Sequence, residues 1–271
     1  MSTPQRTIIT RPAAQAVQWV DMLNAQGLPA QSFPLIEIAS VLSADQRAQL
    51  HAHAAHFDVC MWVSSNAVEQ FYQSNMPIVQ VSIDQTAIEL IVNSHQRHWA
   101  TGPGTVAALQ RHGVIAQQID APDLQAARWD SDALWQRVKG QIQPGKKVLI
   151  LRGVDIGTPN ASRDWLAQQI EVAGGAVEFA AVYERRAPQF SAAQIAWAHQ
   201  AATDGSVWVF SSSQALTHLP PLPEADSGWS QARCVVTHER IAQAARAKGF
   251  AVVCTSRPAA NDVAQSIKSL L

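Results

Sequence analysis

Charge is scarce in this chain of 271 residues, and neither sign dominates: 20 lysines and arginines stand against 21 aspartates and glutamates, 15% of the residues in all. No basic tract is present to neutralise a phosphate backbone, so no nucleic-acid partner is expected. Apolar runs are short. None approaches the roughly 20 residues of a spanning helix, so no membrane is expected either. The first residues are polar and lead straight into a strand-like run, and no signal peptide is read there. Cysteine is rare: Cys60, Cys234 and Cys254 stand singly in apolar runs. That fits neither a disulfide framework nor a zinc site and points to a reducing cytoplasm. Phosphate loops are missing as well. Gly102-Pro103-Gly104-Thr105 lacks the Gly-Lys-Ser/Thr ending of a Walker loop, and no Gly-x-Ser-x-Gly elbow occurs. His51, His53 and His56 cluster, but in a polar helical stretch without further ligands, which reads as a solvated face rather than a metal site. The tryptophans stand mostly in apolar contexts, where core packing accounts for them.

What the chain does have is apolar material, 47% of its residues, enough for a buried core in about two domains. Strands are expected over 6–10, 59–64, 147–151, 176–183, 207–211, 234–237 and 250–254. These runs lack polar alternation, so they read as strands buried on both faces. Helices are expected between them, over 13–26, 105–112, 163–173 and 240–248. Gly27, Gly113, Gly174 and Gly249 follow those helices, where glycine accepts the left-handed stop without a Cβ clash. Alternating strands and helices predict an α/β fold with parallel sheets.

The chain also repeats itself weakly. The run from Val59 through Ser64-Ser65-Asn66 to Val68 parallels the run from Val207 through Ser211-Ser212-Ser213 to Leu216. Ile8-Ile9-Thr10-Arg11 parallels Leu149-Ile150-Leu151-Arg152, and Thr101-Gly102-Pro103-Gly104-Thr105 parallels Thr237-His238-Glu239-Arg240-Ile241. The order is the same in both halves, which predicts two similar α/β domains.

In open parallel sheets, ligands bind beyond the carboxyl ends of the strands. Ser64, Ser65 and Asn66 fall at one such end, and Ser211, Ser212 and Ser213 at another. The two loops Thr101 to Thr105 and Thr237 to Arg240 follow two more. Each offers backbone N–H groups at a helix N-terminus, which suits an anion. For a single loop, helix capping is the better explanation. Four such loops, read as facing one cleft, favour a ligand with several anionic groups. His238, alone at a strand end, is as readily structural as functional.

Taken in order, these motifs resemble the uroporphyrinogen-III synthase family. The likeness rests on Thr10-Arg11-Pro12, on Pro34-Leu35-Ile36-Glu37-Ile38, and on Phe57-Asp58 leading to Ser64-Ser65-Asn66-Ala67-Val68. It continues through Gly102-Pro103-Gly104-Thr105, Leu151-Arg152-Gly153, Val182-Tyr183-Glu184-Arg185, and Arg240-Ile241-Ala242 with Gly249-Phe250. It implies two flavodoxin-like domains joined by a two-strand linker. Residues 1–34 and 187–271 would form one domain and 38–182 the other, with linker strands at 34–38 and 182–186. The chain departs from the family in a long stretch before Gly102, apolar over 78–92, and in an insertion over 154–162. Ile241 stands where some members carry threonine.

The resemblance also implies a reaction. Hydroxymethylbilane, a linear tetrapyrrole with eight carboxylates, loses its hydroxyl and closes with inversion of its last ring. No cofactor or metal is implied, only a fold that holds the chain so that the right carbon attacks. The positional match for the acid that helps water leave is Tyr183. Arg11, Ser64, Ser65, Asn66, Gly102, Gly104, Thr105, Arg152, Gly153, Ser211, Ser212, Ser213, Thr237, His238 and Arg240 are the expected substrate contacts. A monomer acting on a small molecule is expected. The residues alone leave open a two-domain binding protein, or another transferase, for a polyanionic ligand.

Overall fold

The computed structural model describes residues 6–73, 96–123, 130–155, 165–221 and 228–270. The elements run β1 (Thr7–Ile9), α1 (Ala13–Ala25), β2 (Ala30–Ser32), β3 (Glu37–Ser40), α2 (Ala44–Ala54), β4 (Val59–Trp62) and α3 (Ser65–Tyr72). There follow β5 (Arg97–Ala100), α4 (Pro103–Arg111), β6 (Ile119–Asp120), α5 (Ser131–Val138), β7 (Lys147–Asp155), α6 (Trp165–Val172) and β8 (Ala176–Arg186). Last come α7 (Ala192–Thr203), β9 (Val207–Phe210), α8 (Ser213–Thr217), β10 (Arg233–Val236), α9 (Glu239–Lys248), β11 (Val252–Thr255) and α10 (Ala260–Lys268). The chain divides into two compact units, Met1–Glu37 with Arg186–Leu271, and Ile38–Arg185.

The discontinuous unit carries a sheet of order β11-β10-β9-β1-β2, parallel throughout. Numbered from β1, this is the doubly wound order 2-1-3-4-5. The second sheet runs β3-β8-β7-β4-β5-β6, with parallel pairing from β8 through β6. Numbered from β7, its five parallel strands have the same order, with β3 added at the edge beyond β8. The correspondence β1 with β7, β9 with β4, and β10 with β5 is the one the repeated sequence motifs predict.

Burial explains why these runs are strands. All four residues of β4 and all four of β9 are buried, and each large apolar side chain so placed contributes about 1.5–3 kcal/mol. Cys60 and Trp62 face a cluster with α3 and α4, while Val59 and Met61 face one with α5 and α6. In the other unit, α1 and α10 cover Ile9, Val209 and Val235. The expectation of burial on both faces fails for β8 and β11. β11 closes one edge of its sheet, and β8 has only the short β3 outside it.

The helix stops fall where expected: Gly27, Gly113, Gly174 and Gly249 all have φ between 76° and 99°. The first linker strand does not. Residues 34–36 are outside any strand, and β3 begins at Glu37. Phe33 and Leu35 spend their N–H groups on the carbonyls of Ile9 and Thr10, and Pro34 has none to offer. β7 and β8 both run several residues past their expected ends. Two expectations, the apolar stretch 78–92 and nearly all of the insertion 154–162, lie outside the described residues.

Candidate active site

A doubly wound sheet opens its ligand crevice where the strand order reverses. In the discontinuous unit that point lies between the ends of β1 and β9. Thr10 closes one side: it is buried, and its hydroxyl donates to the Val209 carbonyl at 2.7 Å. Arg11 follows at the mouth. Its guanidinium lies over the Trp19 ring at 4.3 Å, stacked by a residue of the helix that Pro12 starts. It has no acidic partner among the described residues, and its buried Nε has no hydrogen-bond partner. Burial pushes its pKa down to about 10. A desolvated cation left without a counter-charge carries an energetic cost that a bound anion removes. On the other side Ser211, Ser212 and Ser213 are half-buried after β9, and Ser212 caps α8 by accepting from the Gln214 amide at 3.2 Å.

The same arrangement recurs in the Ile38–Arg185 unit, between β7 and β4. Arg152 lies over the Phe179 ring of the neighbouring strand at 4.2 Å, again without an ion pair among the described residues. Ser64 ends the run after β4 and caps α3, accepting from the Ala67 amide at 3.3 Å. Ser65 and Asn66 form the first turn behind it, half-buried.

Tyr183 joins three strands at this point. It comes from β8, opposite Gly153 of β7, and its hydroxyl reaches Ser64 beyond β4 at 3.0 Å. The register slips between Arg152 and Gly153, so the glycine falls under the ring. A Cβ there would meet the ring at 2.4 Å. Arg185 donates to the same hydroxyl at 3.1 Å. Tyr183 is wholly buried, so its hydroxyl faces Ser64 and Arg185 and does not open to solvent.

The remaining expected contacts are less uniform. Gly102 caps α4 from an extended backbone, and Gly104 is exposed in the first turn. Thr105 is buried, and its amide donates to the Gly102 carbonyl at 3.0 Å, so neither its side chain nor its N–H is open at the helix start. Thr237 is half-buried. His238 is the cap of α9, its Nδ1 accepting from the Arg240 amide at 3.1 Å, which settles the structural side of its role. Arg240 is exposed, and Ile241 is buried in the core. His51, His53 and His56 are exposed, with His51 stacked on Phe71 and His53 paired with Glu178. No group of three or more histidine, cysteine, aspartate or glutamate residues is arranged for a metal among the described residues.

Sequence reasoning missed Trp19, Phe179 and Arg185. The last had a signal: strand side chains repeat every second residue, so Arg185 shares a face with Tyr183. A separate cavity of about 290 Å³ is lined by Trp62, Phe71, Tyr72 and His98, and takes in none of the switch-point residues. No helix among the described residues is long and apolar enough to cross a membrane.

Comparison with known proteins fits this geometry. The family model described as uroporphyrinogen-III synthase HemD matches residues 17–265. The uroporphyrinogen-III synthase of Salmonella typhimurium is 29% identical over 262 residues, covering 94% of this chain and 96% of that protein. Among solved structures, the uroporphyrinogen-III synthetase of Helicobacter pylori superposes with a TM-score of 0.59 at 14% identity, covering 98% of this chain and all of that one. A mutant enzyme from Thermus thermophilus gives 0.51 at 13% identity, with 98% of each chain covered. At such identities these structures speak for the fold alone.

Proposed function

The chain belongs to the uroporphyrinogen-III synthase family, and from that premise we propose which of its residues carry the reaction. It is a cyclising lyase of tetrapyrrole (haem) biosynthesis. It closes linear hydroxymethylbilane into uroporphyrinogen III, inverts ring D and expels water.

The uninverted ring forms readily without help, so the protein's work is chiefly to hold a flexible polycarboxylate in one folded shape. Arg11 and Arg152 are assigned the carboxylates. The observation behind this is their shared condition: each guanidinium is stacked on an aromatic ring at a switch point, and neither has an ion pair among the described residues. A hydrogen bond between charged groups is worth about 1.5–3 kcal/mol. Helix N-termini at Ser64–Asn66, Gly102–Gly104 and Ser211–Ser213 supply further amides; in Thr237–Arg240 the amides of Thr237 and Arg240 are already spent on the Phe210 carbonyl and on His238 Nδ1. Tyr183 is the acid that supplies the proton for the leaving hydroxyl.

The reading takes the protein as a monomer in the cytoplasm. The reducing compartment is supported by the three cysteines, Cys60, Cys234 and Cys254, which are all free. Arginine labelling tests the carboxylate assignment. Phenylglyoxal modification of Arg11 and Arg152, mapped by mass spectrometry, should slow when uroporphyrinogen III is bound. Equal labelling with and without it would place the carboxylates elsewhere.

A further inference from the structure

We infer that Ser64, rather than Tyr183 itself, hands the proton to the substrate's leaving hydroxyl, with Tyr183 behind it and Arg185 holding the tyrosine. This rests on the reading of the chain as the cyclising lyase with Tyr183 as its acid. Burial supplies the need for it. Tyr183 is wholly enclosed, whereas Ser64 is half-buried at the start of α3, on the crevice side of the sheet.

The direction of the hydrogen bonds follows from what each group can do. A guanidinium has donors only, so Arg185 Nη2 gives its hydrogen to the Tyr183 oxygen at 3.1 Å. The tyrosine has one hydroxyl hydrogen, and the acceptor recorded beside it is Ser64 Oγ at 3.0 Å. Ser64 Oγ also accepts from the Ala67 amide at 3.3 Å. Both its acceptor positions are then occupied, and its own hydrogen points away from Tyr183 and Ala67. The chain runs Arg185 to Tyr183 to Ser64 and outward.

The step balances. Ser64 O–H breaks and its proton joins the departing hydroxyl oxygen, which leaves as water with the C–O electron pair. The Tyr183 proton moves to Ser64 Oγ, and the phenolate remains beside the Arg185 guanidinium. The carbocation is held by its pyrrole nitrogen. Ring closure releases one proton from the attacked pyrrole, and the same chain run backwards returns it to Tyr183.

Three variants test this by rate of isomer III formation and melting temperature. Ser64→Asp keeps a good helix cap and an acceptor for Tyr183 but has no proton to give at neutral pH. It should stay folded and lower kcat about as far as Tyr183→Phe does, at about 10²-fold, while its new negative charge raises KM beside the substrate's carboxylates, so kcat is the quantity that tests the relay. Ser64→Thr keeps the hydroxyl and should restore most of kcat. The Ser64→Asp/Tyr183→Phe double variant should be no slower than either single, as expected for two members of one chain. Slowing in Tyr183→Phe with wild-type kcat in Ser64→Asp leaves the tyrosine as acid and overturns the relay alone. Wild-type kcat in Tyr183→Phe removes both. Equal slowing in Ser64→Thr and Ser64→Asp also overturns the relay, because the hydroxyl would then not matter.

Discussion

The ring of Tyr183 lies against the backbone of Gly153, so closely that a Cβ on the glycine would sit 2.4 Å from both Cε2 and Cζ. The glycine is the gap through which a side chain from β8 crosses β7 to reach Ser64 beyond β4.

Gly153→Ala should therefore displace the ring and break the Ser64 contact. Overpacking of this kind typically costs about 1–3 kcal/mol. Melting curves should show that loss, together with a fall in turnover. In a Tyr183→Ala background the same change should cost little, because the ring it meets is gone. An equal cost in both backgrounds would separate the glycine from the tyrosine.

Arg11→Gln should leave stability unchanged or raise it, since the guanidinium is desolvated and has no acid to hold among the described residues. Loss of a charged hydrogen bond worth about 1.5–3 kcal/mol predicts a KM roughly 10- to 100-fold higher. Thermal melts and steady-state kinetics decide the matter. A destabilised variant with normal KM would make Arg11 a structural residue.

Ser65→Ala and Ser211→Ala should each weaken binding mildly, because neighbouring backbone amides absorb part of the loss. Combined, they should raise the share of isomer I, since a loosely held end ring meets the cation through its free carbon. If the melting temperature falls while affinity and isomer ratio stay fixed, these serines act as helix starts only.

His98 predicts an acid weakness. It is buried beside Trp62, whose indole N–H donates to Nδ1 at 3.2 Å, and burial, with the Arg97 charge adding, pushes its pKa down to about 4. The folded state resists a proton that the unfolded chain accepts near pH 6.5, so the unfolded state binds more protons between pH 6.5 and 4. Stability should hold above pH 6.5 and fall as pH drops to 4, by about 3 kcal/mol at most for this group. His98→Gln should flatten that part of the melting-temperature profile. Parallel profiles for variant and wild type would assign the acid loss to other groups.

Much of the fold is legible because its central strands are uninterrupted apolar runs. β4 and β9 read plainly for that reason, and the glycine stops mark helix ends. Short edge strands do not read so well, with two residues in β6 and three in β2, and neither does β5 inside its sheet, which opens on Arg97 and gives no apolar run to see. The ends of β7 and β8 were hidden by Gly153 and Arg185, which look like loop residues until the bulge is known. At the site, Ser64 and Arg11 are visible because they follow strands, and Arg152 because it ends the run 147–151 expected as a strand, although β7 continues past it. Trp19 and Phe179 are not, because stacking on an arginine depends on which way a helix and a neighbouring strand face. The burial of Thr105 was hidden in the same way, since its loop motif reads as exposed.

The central claim is the inverted ring closure. Purified protein, freshly made hydroxymethylbilane and an enzyme-free blank are incubated side by side, oxidised, and the uroporphyrin isomers resolved by chromatography. The account predicts isomer III far in excess of the blank. A product that remains isomer I, as in the blank, would contradict it.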